Sequence, residues 1–500
     1  MEDKKDFKNS QVIGSNTPDD IKDKAIKSMK WSVLVELTPR LIVPVTTLIF
    51  VRILSPSDFG LMTMATIFVG LAGMFQDFGL AKALIREKED TEDSANVVFW
   101  SNFALSIIIY ALIFLLAPLA ALFFNEPRLT NILRVLCLQV VLLSLAAVQI
   151  AIFQRNFEFK KIFRGSLGFV VTPIFVTIPL ALLHFGVWAL VLGNLTSYAV
   201  QLLILWFQSK WRPKFSFKLN IAKKLFNFGI WFTAEAFILW LLSYGDSASI
   251  GYFLETKNVG IYYIGLTLTS LIFGTAFNPL LSVAYSSFSK LQDDIDNLKS
   301  YFVKISNLLA VLIIPMGIGL ILISAPIYSI FFKDSWSGIQ IVISLLALVQ
   351  MVAWLVGLNP TIYRALGRPD INFKIGLVSI PIYALVYISF AQYGLFIFCV
   401  GRILVAFITT AIHLFVMNKL INLKPFYIFN SLKMPILSVI PMAFLIYSAI
   451  HFGGSFVGIL GIAKLLMAII LGISTYVGTL YLINRDSLKQ TLSLLLKVAK

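Results

Sequence analysis

The chain has 500 residues, of which 58% are hydrophobic and only 13% charged, and its formal net charge is +16. A soluble chain is about a quarter charged, so this composition excludes a soluble enzyme, a disordered protein and a nucleic-acid binder with a solvated basic stripe. About 290 apolar residues, at about 20 per crossing, suffice for roughly fourteen transmembrane helices.

Met1 to Lys30 is polar and Lys-rich with no apolar core, which predicts no cleavable signal peptide. The apolar run from Trp31 reads as an uncleaved signal anchor. From there, apolar runs bounded by polar clusters predict fourteen helices, at 31–53, 59–80, 97–123, 129–153, 165–184, 186–208, 225–250, 259–282, 302–326, 338–358, 374–392, 394–418, 433–452 and 458–483. The fold class expected is all-α integral membrane. The segments on the side of the N-terminus hold 32 of the 41 Lys and Arg residues, the opposite loops hold 4, and five lie within spans. That bias predicts both termini in the cytoplasm.

The sequence reads as an internal repeat, the alternative being that outer turns simply favour glycine. Leu54-x5-Gly60 after the first span recurs as Leu254-x5-Gly260 after the seventh. Phe185-Gly186 with Gly193 recurs as Tyr393-Gly394 with Gly401, and Phe159-Lys160 as Phe373-Lys374. A repeat of six spans returns the chain to the same side, so the copies are parallel and related by an axis along the membrane normal. The expected organisation is a cytoplasmic tail (1–30), an N-lobe of helices 1–6 (31–208), a basic linker (209–224), a C-lobe of helices 7–12 (225–418), helices 13 and 14 (433–483) and a cytoplasmic tail (484–500). Parallel lobes of this kind commonly hold a solute site between them and work by rocking.

Ionisable groups deep in a bilayer cost about 2.5–3.5 kcal/mol each on insertion scales, so they are candidate functional groups. Arg40, Arg402 and Lys464 are the candidate substrate-binding cations. Glu36, Glu235, Asp77 and Asp246 are the candidate ion-coupling acids. Glu36 and Arg40 stand i, i+4 in the favourable order, and a self-neutralised structural pair is the alternative reading. Arg402 and Lys464 have no acid one helical turn away, so each needs a partner elsewhere, water or a ligand. Asp77 and Asp246 lie near helix ends, within reach of water. Pro39 beside Arg40, with Pro44 a turn later, marks a hinge to test; the other prolines in spans read as ordinary bends.

Cys137 and Cys399 sit inside apolar runs without a Cys/His cluster, and His184, His413 and His451 are scattered. Neither pattern supports a metal or redox centre.

Several stretches together resemble a known family. They include Arg52-Ile-Leu-Ser-Pro-Ser-Asp-Phe-Gly60, Asp77-Phe-Gly79-Leu-Ala-Lys-Ala-Leu-Ile-Arg86, Gln154-Arg155-Asn-Phe157-Glu-Phe159-Lys160 and Gly260-Ile-Tyr-Tyr263. The chain resembles the bacterial polysaccharide repeat-unit flippases of the O-antigen and colanic-acid type, within the multidrug/oligosaccharidyl-lipid/polysaccharide exporter superfamily. The resemblance implies two six-helix lobes plus two C-terminal helices around a cavity open to each side in turn. It implies as substrate an undecaprenyl-pyrophosphate-linked oligosaccharide, flipped from the cytoplasmic to the outer leaflet of the bacterial inner membrane. A pyrophosphate needs cations, which Arg40 and Arg402 would supply. No cofactor is expected, with proton or sodium coupling open. The expected partners are the lipid-linked substrate and membrane lipids, with the polymerase and glycosyltransferases of the same pathway as further candidates.

Two rivals share the composition. A membrane polymerase or glycosyltransferase places catalytic groups in a sizeable outer loop, and here no outer loop exceeds about 12 residues by the limits above. A cation-coupled multidrug exporter of the same superfamily favours acid-lined sites, whereas three of the five deep charges counted here (Glu36, Arg40, Glu235, Arg402 and Lys464) are basic.

Overall fold

In lipid every backbone N–H and C=O must be satisfied within the protein, and a helix does so within its own segment. The computed structural model describes residues 18–77, 80–86, 91–216, 218–454, 456–483 and 485, and among them there is no strand. The first half of the chain forms α1 (Pro18–Ile53), α2 (Pro56–Asp77), α3 (Leu80–Arg86), α4 (Thr91–Phe123), α5 (Leu129–Leu136), α6 (Leu138–Arg155), α7 (Phe159–Leu182) and α8 (Val187–Gln208). The second half forms α9 (Leu219–Phe253), α10 (Thr256–Lys290), α11 (Ile295–Phe331), α12 (Ile339–Trp354), α13 (Asn359–Ala365), α14 (Asp370–Ala391) and α15 (Leu395–Ile421). Two further helices follow, α16 (Pro425–Phe452) and α17 (Gly458–Ile483).

Twelve helical segments among the described residues are long and apolar enough to cross a membrane. The fourteen spans expected from sequence include α9 and α10, of 35 residues each, which are not among those twelve. Several limits differ from expectation. Helix α1 begins at Pro18, inside the expected tail, and runs unbroken through Pro39 and Pro44. The expected fourth span is two pieces, α5 and α6, meeting at the buried Cys137.

The turns explain the glycine echoes. Gly186 has φ +55° and Gly394 φ +102°, a region that favours residues without a Cβ. Each reverses the chain between antiparallel neighbours, α7 to α8 and α14 to α15.

Within the first half, α7 packs on α1 and α8, and α6 on α4 and α8; within the second, α12 packs on α10, α11 and α15. Helices α16 and α17 lie against α11. The main crossing between the halves is α2 on α10. The basic linker is strapped to the first half: Asn96 accepts the Lys214 N–H at 2.8 Å, Trp100 donates to the Lys214 carbonyl at 3.0 Å, and Lys218 pairs with Asp93 at 2.6 Å.

Candidate functional site

The repeated Leu-x5-Gly motif places each glycine one turn into a helix that follows a short turn. At the α2–α10 crossing the two copies meet. A Cβ on Gly60 would strike the Thr256 carbonyl oxygen, and one on Gly260 would strike that of Pro56 and come within 3.0 Å of the Gly60 nitrogen. Pro56 and Thr256 are themselves 200 residues apart, so the contact is reciprocal.

Other bonds join the halves at this same end, here called the turn end. Arg52, at the end of α1, donates to the carbonyls of Ile330 and Phe332, at 3.4 and 3.3 Å. Thr256 Oγ1 donates to Glu126 at 3.0 Å, and Arg128 holds the same carboxylate through two bonds of 2.8 Å. The Arg128 hydrogen bond, and then that of Thr256, hold the Glu126 carboxyl below its ordinary value against the opposing effect of burial. The Phe59 ring lies 5.5 Å from the fully buried Trp336, and Phe123 lies 4.9 Å from Tyr252. Arg52, read from sequence as part of a motif, and Glu126 thus tie the halves together. No local pattern points to that role, because both partners lie more than a hundred residues away.

The deep charges separate into three environments. Arg402 on α15 pairs with Asp246 on α9, whose side chain is 2% exposed. Asp246 also accepts the Tyr262 hydroxyl at 2.7 Å and the Ser247 N–H. The Arg402 guanidinium stands 5.9 Å from the Tyr262 ring and 5.8 Å from that of Tyr387. Arg402 therefore finds its partner in the protein, and Asp246, expected within reach of water, is buried and accepts three hydrogen bonds. Lys464 donates to the Gly453 carbonyl at 2.6 Å, reaching from the first turns of α17 to the end of α16. It satisfies a helix-end carbonyl instead of standing alone at mid-depth.

Glu36 and Arg40 form the expected pair at 3.3 Å, and their side chains are 69% and 29% exposed. Arg40 lies 13 residues before the end of α1, about 20 Å from it along the axis at 1.5 Å per residue. The side chains of Asp77 and Glu235 lie outside the described residues. The structure thus brings Glu36 to Arg40 and Asp246 to Arg402, and it does not bring Arg40, Arg402 and Lys464 into one cluster. Among the described residues no three His, Cys, Asp or Glu side chains gather as a metal site.

A cavity of about 490 Å³ opens between α10, α11, α16 and α17, lined by Val311, Pro315, Met316, Met442, Gly472 and Tyr476 among others. Its lining is apolar, and the Tyr476 hydroxyl is spent on the Val311 carbonyl at 2.8 Å.

Residues 49–341 match the model of a family described as polysaccharide biosynthesis protein. The lipopolysaccharide biosynthesis protein WzxC of Escherichia coli is 26% identical over 405 residues, 80% of this chain and 82% of its own. The succinoglycan biosynthesis transport protein ExoT of Rhizobium meliloti is 26% identical over 329 residues, 64% of this chain and 65% of its own. Among solved structures, the lipid II flippase MurJ in an inward closed conformation matches with a TM-score of 0.74 at 14% identity, over 92% of this chain and 99% of the other. At that identity the likeness is one of fold.

Proposed function

Because the chain belongs to the polysaccharide biosynthesis protein family, we propose that it flips undecaprenyl-pyrophosphate-linked oligosaccharide repeat units from the cytoplasmic to the outer leaflet of the bacterial inner membrane. The movement is alternating access, and it serves cell-surface polysaccharide assembly. Relatives named for lipopolysaccharide biosynthesis and succinoglycan transport support the substrate class, and the fold shared with a lipid II flippase suits it.

The observation that carries the mechanism is the reciprocal Gly60–Gly260 contact. It fits two parallel six-helix lobes, 31–208 and 225–418, joined at one end, with two helices added and fourteen crossings in all. The Lys and Arg bias puts both termini in the cytoplasm and the turn end outside. A closed turn end then bars access from the outside, as loading from the cytoplasmic side requires.

Arg40 is the cation assigned to the pyrophosphate. An exposed ion pair at that depth is costly against lipid tails, so a water-filled passage between the halves is the place that suits it. Arg402 keeps the C-lobe in register through Asp246, and Lys464 anchors the α16–α17 turn. Coupling to protons or sodium falls to Glu36, Glu235 or Asp77, since Asp246 is buried and already paired with Arg402. The apolar cavity against α16 and α17 has the chemistry for part of the polyprenyl tail. The polymerase and glycosyltransferases of the pathway are the partners that supply and consume such a substrate.

Reconstitution tests the reading. Purified protein in vesicles moves a labelled lipid-pyrophosphate glycan between leaflets. Failure with the cognate glycan, together with efficient efflux of cationic drugs, would replace it with the multidrug-exporter reading.

A further inference from the structure

Trp31 lies within α1, in the part remote from the turn end, half-buried against Phe163 of α7 with ring centroids 5.4 Å apart. Two ammonium groups share its ring: Lys30 Nζ stands 5.8 Å from the centroid and Lys160 Nζ 5.5 Å. The lysines come from two helices, both are exposed, and neither forms an ion pair among the described residues. Arg164, one turn along α7 from Lys160, is exposed as well, with one contact to Gln208 at 3.2 Å.

The position along α1 is that of a membrane interface. Trp31 is 22 residues from Ile53, about 33 Å at 1.5 Å per residue, against a hydrocarbon core of about 30 Å. From this point an apolar row runs down α1 at every fourth residue: Met29, Val33, Leu37, Leu41, Val45 and Ile49, each between 39% and 70% exposed. On α7, Leu167 and Phe175 extend the exposed apolar surface below Arg164.

We propose that Lys30, Trp31 and Lys160 form a binding site for the phosphate of an anionic phospholipid, whose acyl chains lie along the exposed row of α1. The indole holds both ammonium groups by cation–π attraction, so two like charges converge without a counter-ion among the described residues. An anionic headgroup supplies that counter-ion. The chains cover a row that water would not favour. Indole rings and basic side chains at headgroup depth are the combination that anchors a helix to one leaflet. This inference is independent of which solute the protein carries.

The test is native mass spectrometry of the full chain carrying phosphatidylglycerol or phosphatidylcholine. The wild type retains phosphatidylglycerol preferentially. Lys30→Gln with Lys160→Gln weakens that retention about thirtyfold, from the loss of two interfacial cations, while Lys30→Arg with Lys160→Arg keeps it. Equal retention of the two lipids by the wild type overturns the proposal without any variant. So does unchanged retention in the Gln pair, or loss of retention in the Arg pair. Displacement of phosphatidylglycerol by millimolar inorganic phosphate would assign the site to the free ion and overturn the lipid assignment.

Discussion

Gly60 and Gly260, 200 residues apart, face each other across the α2–α10 crossing, each against the backbone that begins the other's helix. Backbone carbonyls cannot rotate away as a flexible side chain can, so a side chain at either position must separate the helices. Overpacking of this kind costs about 1–3 kcal/mol. Here the cost falls on one state of the molecule, the one in which the turn end is closed.

Gly260→Leu is therefore expected to open the turn end. With cysteines at Phe123 and Tyr252, whose rings are 4.9 Å apart, crosslinking falls at least tenfold in the Leu background. Substrate flipping falls with it, while membrane insertion is unchanged. Undiminished crosslinking would show that the crossing tolerates a side chain.

Asp246 and Arg402 form a buried pair, so removing one partner leaves an uncompensated charge. Arg402→Met alone is expected to cost about 3–5 kcal/mol of stability, and Asp246→Leu alone a similar amount. The double variant, with an apolar pair of similar volume, regains most of that loss. Thermal unfolding in detergent measures all three. Additive losses in the double variant would contradict a paired role.

Glu126 links the halves through Thr256 while its carboxyl is held low by Arg128. A depressed acid contributes stability above its ordinary value, 4.5, and loses that contribution as pH falls below it. Crosslinking between positions 123 and 252 thus declines as pH is lowered through and below this range. Glu126→Gln removes that pH dependence, and an unchanged profile in the variant would assign it to other groups.

Arg40 is the deep cation left half-buried beside an exposed acid. Arg40→Ala is expected to reduce flipping at least tenfold, with insertion and melting temperature close to wild type because the acid left behind, Glu36, is exposed. Normal flipping would remove Arg40 from the pathway.

The features legible in the sequence were those governed by neighbours along the chain. Apolar length marks a crossing, and Glu36–Arg40 is a contact one helical turn long. The repeat marked the residues of the main crossing, because close helix approach demands small residues at fixed places in both copies. The roles of Arg402, Lys464 and Asp246 were not legible. Arg402 and Asp246 are 156 residues apart, and no pattern on either helix reveals which faces meet.

What the sequence by itself determined is the class of molecule: a polytopic all-helical membrane protein whose Lys and Arg residues fall mostly outside its apolar runs. Those follow from solvation, since apolar runs partition into lipid and cations resist crossing it. What only the tertiary structure decided is which deep charges are neutralised and which remain exposed. A charge in lipid must find a partner or water. Only the packing of α9 against α14, and of α14 against α15, brings Arg402 to Asp246, while that of α1 leaves Arg40 open.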